Sequence, residues 1–138
     1  MLMDIVQIQA IVDRSPLNRW LGMKVEAVGD GWVHLRIRWR EELVSSPERQ
    51  STHGGILATL VDGAGDYAVA SRLGRAVPTL DLRVDYHRVA TPGDLRAQAK
   101  VIHQGGTVAT AETQVFDLSD RLIASGRGLY FVGASPKT

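Results

Sequence analysis

Cysteine is absent from the 138 residues of this sequence. Its absence excludes disulfides, thiolate metal sites and a cysteine nucleophile, and it is typical of proteins in a reducing compartment such as the cytoplasm. An excess of either charge is also absent, because 16 basic residues face 15 acidic ones and the net charge is +1. This balance offers no electrostatic basis for binding nucleic acid or an anionic membrane surface. We therefore expect a cytoplasmic protein that binds neither.

Long hydrophobic runs are missing as well. No apolar stretch approaches the roughly 20 residues that span a bilayer, and residues 1–13 lack the basic and then apolar order of a secretion signal. Hydrophobic residues nevertheless make up 44% of the chain and charged residues 22%, which is typical of a globular protein. We find no linker and no repeat, and we predict one domain over residues 1–138 with its core at about 20–133.

One long helix dominates the pattern between residues 51 and 72. Apolar residues recur there at three- and four-residue spacing, which is typical of a helix with one buried face. They are Ile56, Leu57, Leu60, Val61, Ala64 and Ala68. Ser51 or Thr52 can cap the start of this helix, and Gly74 can end it.

Alternating apolar and polar residues predict six strands besides this helix. The predicted strands are 23–28, 32–39, 79–87, 95–103, 107–117 and 122–132. Several of the turns are short, so the strands that they join must run antiparallel. The sheet has one face to bury, and the long helix is the element available to cover it. An alternating edge strand invites a second copy, so we predict that strand 79–87 pairs with itself in a homodimer.

Two short helical segments precede the first strand. The first ends near residue 13, and the second begins at residues 15–16, where serine can cap a helix and proline suits its first position. In the second segment we expect Leu17, Trp20 and Leu21 to point inward.

The long helix carries residues that conflict with its own burial. Asp62 lies on the apolar face and Asp66 follows one turn later, although an unpaired buried carboxylate is costly. Gly63 and Gly65 interrupt the same turns, and each costs about 1 kcal/mol relative to alanine in a helix interior. Local inconsistencies of this kind are typical of functional sites. We therefore predict a site on this part of the helix.

Five groups of residues resemble one protein family. They are His-Gly-Gly at 53–55 with Leu-Val-Asp at 60–62, the strand at 79–86, Thr-Pro-Gly-Asp at 91–94, Gln-Gly-Gly-Thr at 104–107 and Ala-Ser-Gly-Arg at 124–127. Together they resemble the hotdog-fold acyl-CoA thioesterases of the phenylacetic-acid-degradation (PaaI-like) type. The resemblance implies an α+β fold in which a six-stranded antiparallel sheet wraps around one long central helix, with a short N-terminal helical segment.

The resemblance also implies an activity and an assembly. The activity is hydrolysis of acyl-CoA thioesters with aryl or short-to-medium acyl groups, and it needs no metal or added cofactor. The assembly is a homodimer, often paired into a tetramer, with each site at the dimer interface. The Gly54 amide at one helix N-terminus would hold the thioester carbonyl, since unpaired N–H groups there favour negative charge. Asp62 of the other subunit would attack the carbonyl carbon or activate a water, and both roles stay open.

Further residues complete the predicted site. Gly55 leaves the helix start open to substrate, and His53 either carries a proton or holds the loop through a backbone hydrogen bond. Possible contacts to the acyl-CoA come from Thr79, Arg83, Arg88 and Arg127. The other histidines share no metal-ligand spacing, so we predict no metal site.

The chain departs from the family pattern at three positions. Pro47 stands where many members have asparagine, Asp66 where they often have serine or threonine, and Gly106 where they often have lysine or arginine. The first two departures keep a second hypothesis open, a non-catalytic acyl-CoA-binding or sensing protein on the same fold. A hydratase or dehydratase is a third hypothesis, which ranks lowest because no histidine follows Asp62 within reach.

Overall fold

The computed structural model describes residues 2–133, which form three α-helices and eight strands. In chain order these are α1 (Ile5–Val12), α2 (Pro16–Leu21), β1 (Lys24–Gly29), β2 (Trp32–Ile37), β3 (Val44–Ser46), β4 (Ser51–Thr52), α3 (Gly54–Leu73), β5 (Thr79–Tyr86), β6 (Leu95–Gln104), β7 (Val108–Asp117) and β8 (Leu122–Phe131). A 3₁₀ turn at Glu41–Leu43 precedes β3. Within the described residues, no helix is both long and apolar enough to cross a membrane.

Six of the strands form one antiparallel sheet in the order β1-β2-β6-β7-β8-β5. The sheet wraps around the 20-residue helix α3, which packs mainly against β2, β6, β7 and β8. Five of the six apolar residues predicted to face inward are buried: Leu57, Leu60, Val61, Ala64 and Ala68. The observed bounds of the six long strands lie within two residues of the predicted ones. The predicted hotdog architecture is therefore confirmed.

As the sequence predicts, the first N-terminal helix ends beside residue 13 and the second begins at Pro16. Asp4 caps α1 through a reciprocal pair of hydrogen bonds with Gln7, in which each side chain accepts the other residue's backbone N–H. Ser15 caps α2, and Gly22 ends it in the left-handed conformation, with φ of 64°. The caps satisfy backbone groups that neither short helix can pair internally.

The inward face of α2 differs from the prediction. Leu17 and Trp20 are 49% and 46% exposed, and only Leu21 of the three predicted residues is buried. Asn18 is buried instead, because its side-chain amide donates to the last carbonyl of α1 (3.0 Å) and to the Tyr67 hydroxyl (2.6 Å). These two hydrogen bonds offset the cost of burying a polar group and set which side of this six-residue helix faces the core.

The start of α3 also differs from the prediction. Ser51 and Thr52 do not cap the helix, because they form β4 and pair with β3 in a separate two-stranded ladder. His53 occupies the N-cap position instead, and its Nδ1 accepts the backbone N–H of Gly55 at 2.8 Å. The ladder delivers the chain to the helix in an extended conformation, so the first residue free to cap is His53.

Strand β5 lies at one edge of the described sheet and is hydrogen-bonded to β8 on one side. Its Leu80 and Tyr86 side chains are each 54% exposed. An open edge that carries exposed apolar side chains favours pairing with another strand. Pairing of β5 with a second copy stays a prediction.

Candidate active site

The carboxylate of Asp62 is held by a threonine from the neighbouring strand. Asp62 lies half-buried in the third turn of α3, and the Thr79 hydroxyl donates to its Oδ1 at 2.6 Å. Thr79 is the first residue of β5 and is exposed. The pair therefore presents an oriented carboxylate at a point that solvent can reach.

A β-bulge turns Thr79 towards the helix. Thr79 is paired with Tyr130 and Asp81 with Leu129, so Leu80 is an extra residue in β5. Strict alternation would place Thr79 on the same face as Asp81, away from α3, and would place Leu80 inside. The bulge shifts the alternation by one residue, which is how bulges re-aim side chains. A period-two pattern has no signal for this shift, so the sequence, which offered Thr79 as a possible acyl-CoA contact, did not predict its contact with Asp62.

Tyr130 of β8 contacts the same turn of α3 from the sheet. Its side chain is fully buried, and its hydroxyl donates to the Asp62 carbonyl oxygen at 2.8 Å. A Cβ at Gly65 or at Gly128 would overlap the Tyr130 side chain, so both glycines make room for it. The interior glycine Gly65 is thereby explained by packing. Sequence reasoning missed Tyr130, since its partners lie on another element.

Asp66 is held by a backbone N–H and, within residues 2–133, forms no ion pair. Its carboxylate is half-buried and accepts the Val77 N–H at 2.9 Å. Burial raises the pKa of Asp66 to about 7; the Val77 hydrogen bond opposes this rise, and the nearby Asp62 charge adds a smaller one. Burial therefore outweighs the repulsion between the two carboxylates as a cause of this shift.

The N-terminal turn of α3 presents one backbone amide that the described chain leaves unused. The Gly55 N–H is bonded to His53, whose own N–H donates to the Leu43 carbonyl at 2.7 Å. This geometry favours the loop-holding role for His53 over proton transfer. Among residues 2–133 the Gly54 N–H has no hydrogen-bond acceptor. It is therefore the amide available to an oxyanion.

Tyr86 closes one side of this turn. Its hydroxyl donates to the Gly54 carbonyl oxygen at 2.8 Å, and a Cβ at Gly54 would lie 3.3 Å from its ring. A cleft of about 330 Å³ opens here, lined by Gly54, Leu57, Tyr86, Arg88 and Val89 among others. Of the four predicted acyl-CoA contacts, Arg88 is the one that shares this cleft with Gly54. Tyr86 was not among the predicted site residues.

Arg83 and Arg127 lie elsewhere. They are directly opposite each other on β5 and β8, on the sheet face that points away from α3. They line a groove of about 790 Å³ together with Lys100 and Glu112. The four predicted acyl-CoA contacts therefore lie in three places. Arg88 is near Gly54, Thr79 is at Asp62, and Arg83 and Arg127 are on the outer face of the sheet. Within residues 2–133 no cluster of three or more histidine or acidic side chains could hold a metal ion.

Comparison with known proteins places this arrangement in a family. The sequence profile of the thioesterase superfamily matches residues 50–124, which is more than half of the 138 residues. VNG_1336C of Halobacterium salinarum, which its name assigns provisionally to the esterases, is 42% identical over 136 residues, covering 91% of this chain and 89% of its own length. YigI of Escherichia coli, named as a medium/long-chain acyl-CoA thioesterase, is 29% identical over 140 residues, covering 91% and 90%.

Solved structures agree with the sequence matches. The X-ray structure of one thioesterase-superfamily protein is 61% identical and superimposes with a TM-score of 0.90, covering 92% of this chain and 96% of that one. The PaaI protein of the Escherichia coli phenylacetic acid degradation operon is 23% identical and shares the fold, with a TM-score of 0.85 over 99% and 100%. The chain therefore belongs to the thioesterase superfamily, in which it is a thioester hydrolase of the PaaI-like, hotdog-fold type.

Proposed function

We propose that this protein hydrolyses acyl-CoA thioesters to the free acid and coenzyme A, in sites shared between two subunits. One observation carries the proposal. Gly54 and Asp62 lie on the same helix eight residues apart, and at 1.5 Å per residue this separates them by about 12 Å along the axis. One chain therefore cannot bring both to a single carbonyl group. A second copy that pairs through the open edge of β5 can supply the other half.

In this proposal the Gly54 amide receives the carbonyl oxygen of the thioester. Attack on the carbonyl carbon develops negative charge on that oxygen, and a helix N-terminus stabilises negative charge through its free N–H groups and its dipole. The absence of a side chain at Gly54 leaves the approach to this amide open. Tyr86 and Arg88 line the same cleft, where Arg88 would meet phosphate groups of coenzyme A.

Asp62 of the other subunit acts on the carbonyl carbon. It is either the nucleophile or the base that activates a water, and the thiolate is a leaving group that needs no strong acid. The Thr79 hydroxyl fixes one carboxylate oxygen, so the other is free to face the substrate or the water. Arg83 and Arg127 would contact the acyl-CoA only where it crosses to the outer face of the sheet.

The assembly, the cofactor requirement and the location belong to the same proposal. The protein is a homodimer joined at β5, with a tetramer as the further step, and it works without added metal or cofactor in the cytoplasm. The acyl group is aryl or of short to medium length. The YigI relative is named as a medium/long-chain acyl-CoA thioesterase, so the substrate panel should extend to long acyl groups.

Release of free thiol from a panel of acyl-CoAs tests the reaction. We expect turnover with at least one aryl or short-to-medium acyl-CoA and no loss of rate in a chelator. Tight binding of an acyl-CoA without thiol release would favour the non-catalytic binder instead. Sedimentation at micromolar concentration should give a dimer or tetramer, and a monomer would contradict a shared site.

Subunit complementation tests the shared site itself. Gly54→Pro removes the amide and Asp62→Asn removes the carboxylate, so each variant alone should be inactive. In a mixed dimer one site carries both defects and the other carries neither. Random mixing makes about half of the dimers mixed, so co-expression should restore about a quarter of wild-type activity. Mixtures no more active than the separate variants would place both groups in the same chain's site.

A further inference from the structure

Asp66 has no part in the reaction as proposed. Its hydrogen-bond partner Val77, however, lies two residues before Thr79, which holds Asp62. Its Oδ1 accepts the Val77 N–H at 2.9 Å. Two residues later the Thr79 hydroxyl donates to Asp62 at 2.6 Å. One turn of α3 is therefore joined twice to residues 77–79, once through Asp66 and once through Asp62.

Residues 77–79 form the entry to β5, and contacts from the sheet and from α3 hold them. Pro78 has no N–H to donate, and its carbonyl accepts the Phe131 N–H at 2.9 Å. The Val77 side chain is buried beside Tyr130. On the helix side, the Asp66 carboxylate accepts the hydrogen bond that fixes the first residue of this segment. Because the bulge at Leu80 follows at once, strand pairing alone determines the position of Thr79 less tightly here.

We propose that Asp66 is a positioning residue for thioester hydrolysis, holding Thr79 at the Asp62 carboxylate through the Val77 amide. The inference rests on the function proposed above. It concerns geometry within one chain, so it does not depend on how two copies pair. It also gives a physical role to a residue at which this chain departs from the family pattern.

The charge of Asp66 makes this role depend on pH. Burial raises its pKa to about 7, and the ionisable groups facing it are Asp62 on its own helix, Tyr67 beside it and Tyr130 from β8. Among the described residues no arginine or lysine forms an ion pair with it. Above pH 7 the ionised carboxylate accepts the Val77 N–H more strongly than the protonated acid does. We therefore expect kcat to fall as the pH drops below about 7.

Two variants at Asp66 separate positioning from charge. Asp66→Asn keeps an oxygen that can accept the Val77 N–H but cannot titrate, whereas Asp66→Ala removes the acceptor. We expect Asp66→Ala to lower kcat about 10-fold while KM changes less than about 2-fold. At low pH, where the wild-type side chain is also neutral, Asp66→Asn should keep most of the rate that Asp66→Ala loses. The rate of Asp66→Asn should no longer change with a midpoint near 7. Both are measured as thiol release from pH 5 to 9.

A double-mutant cycle shows whether Asp66 acts through Thr79. If it does, Asp66→Ala should cost little in a Thr79→Val background. Hydrogen exchange of the Val77 amide gives a reading without substrate: protection should fall in Asp66→Ala and persist in Asp66→Asn. Wild-type turnover combined with an unchanged rate and pH profile in both Asp66 variants would overturn this inference alone. A wild-type protein that releases no thiol from any acyl-CoA would overturn the proposed function as well.

Discussion

The N-terminal turn of α3 and the turn that carries Asp62 are built from different kinds of contact. At the N-terminal turn, His53 and Gly55 are two residues apart and the group offered to substrate is a backbone amide. Around Asp62, the supporting hydroxyls come from Thr79 and Tyr130, which are 17 and 68 residues away. An oxyanion donor can therefore be specified by a short motif, whereas orienting a carboxylate takes distant strands.

Removal of the carboxylate has the largest expected effect. Asp62→Asn keeps the size of the side chain and an oxygen for the Thr79 hydroxyl, but it can neither attack nor accept a proton. We expect kcat to fall by about 100- to 10,000-fold with substrate binding retained. Asp81→Asn, at an exposed carboxylate on the outer side of β5, is the matched control and should be nearly neutral. Near-normal turnover in Asp62→Asn would remove Asp62 from the mechanism.

Removal of the backbone donor should cost somewhat less. Gly54→Pro deletes the N–H at the first helical position, where proline is well tolerated, and His53 already has the extended conformation that precedes proline. We expect kcat to fall about 100- to 1000-fold. Gly54→Ala keeps the N–H and has only to accommodate a Cβ 3.3 Å from the Tyr86 ring, so its loss should be smaller. Equal rates in the two variants would mean that the amide is not used.

The cost of burying Asp66 should appear as a pH-dependent stability. Its pKa is raised from 3.8 to about 7, so between those values the folded chain binds the proton more tightly than the unfolded chain. Stability from this group therefore falls as the pH rises through that range. Asp66→Asn should raise the free energy of unfolding by about 2–4 kcal/mol at pH 8, and the gain should vanish towards pH 4. Urea unfolding at both pH values measures it, and an equal gain at both would contradict the shift.

The two interior glycines offer the smallest and most selective test. A Cβ at Gly65 overlaps Tyr130, whereas a Cβ at Gly63 meets only ordinary contacts, with its nearest neighbour at 3.7 Å. Gly65→Ala should therefore lower the free energy of unfolding by about 1–3 kcal/mol. Gly63→Ala should raise it by up to about 1 kcal/mol, since alanine is the better helix former. Thermal unfolding of both variants decides this, and a shift of the same sign in both would refute the packing argument.

The resemblance in the sequence led to the hotdog fold, and hydrophobic periodicity placed the elements. Strand bounds came out within two residues because alternation and glycine-containing turns are local signals. The predicted inward face of α2 was wrong because the sequence does not distinguish a buried, hydrogen-bonded asparagine from an exposed polar residue. Capping by His53 was missed because the small β3–β4 ladder sets where the helix can begin.

The site residues also divide into those that a local motif indicates and those that only strand register brings together. Asp62 was singled out because its conflict with burial is visible in the sequence. Gly54, Gly55 and His53 were named with it because the contiguous motif that they form resembles the family. Tyr130 and Tyr86 were not named, and the contact of Thr79 with Asp62 was not foreseen. Each of these depends on the register between strands or on the bulge at Leu80, and neither is encoded in a local pattern.

The sequence by itself determined that one amphipathic helix with two carboxylates and a glycine-opened N-terminus would be enclosed by antiparallel strands. It could do so because hydrophobic periodicity and turn chemistry act over a few residues. Tertiary structure alone decided that Thr79 meets Asp62, that Tyr130 needs Gly65, and that burial raises the pKa of Asp66. These outcomes depend on which atoms distant strands bring within about 3 Å, and one extra residue in a strand is enough to change them.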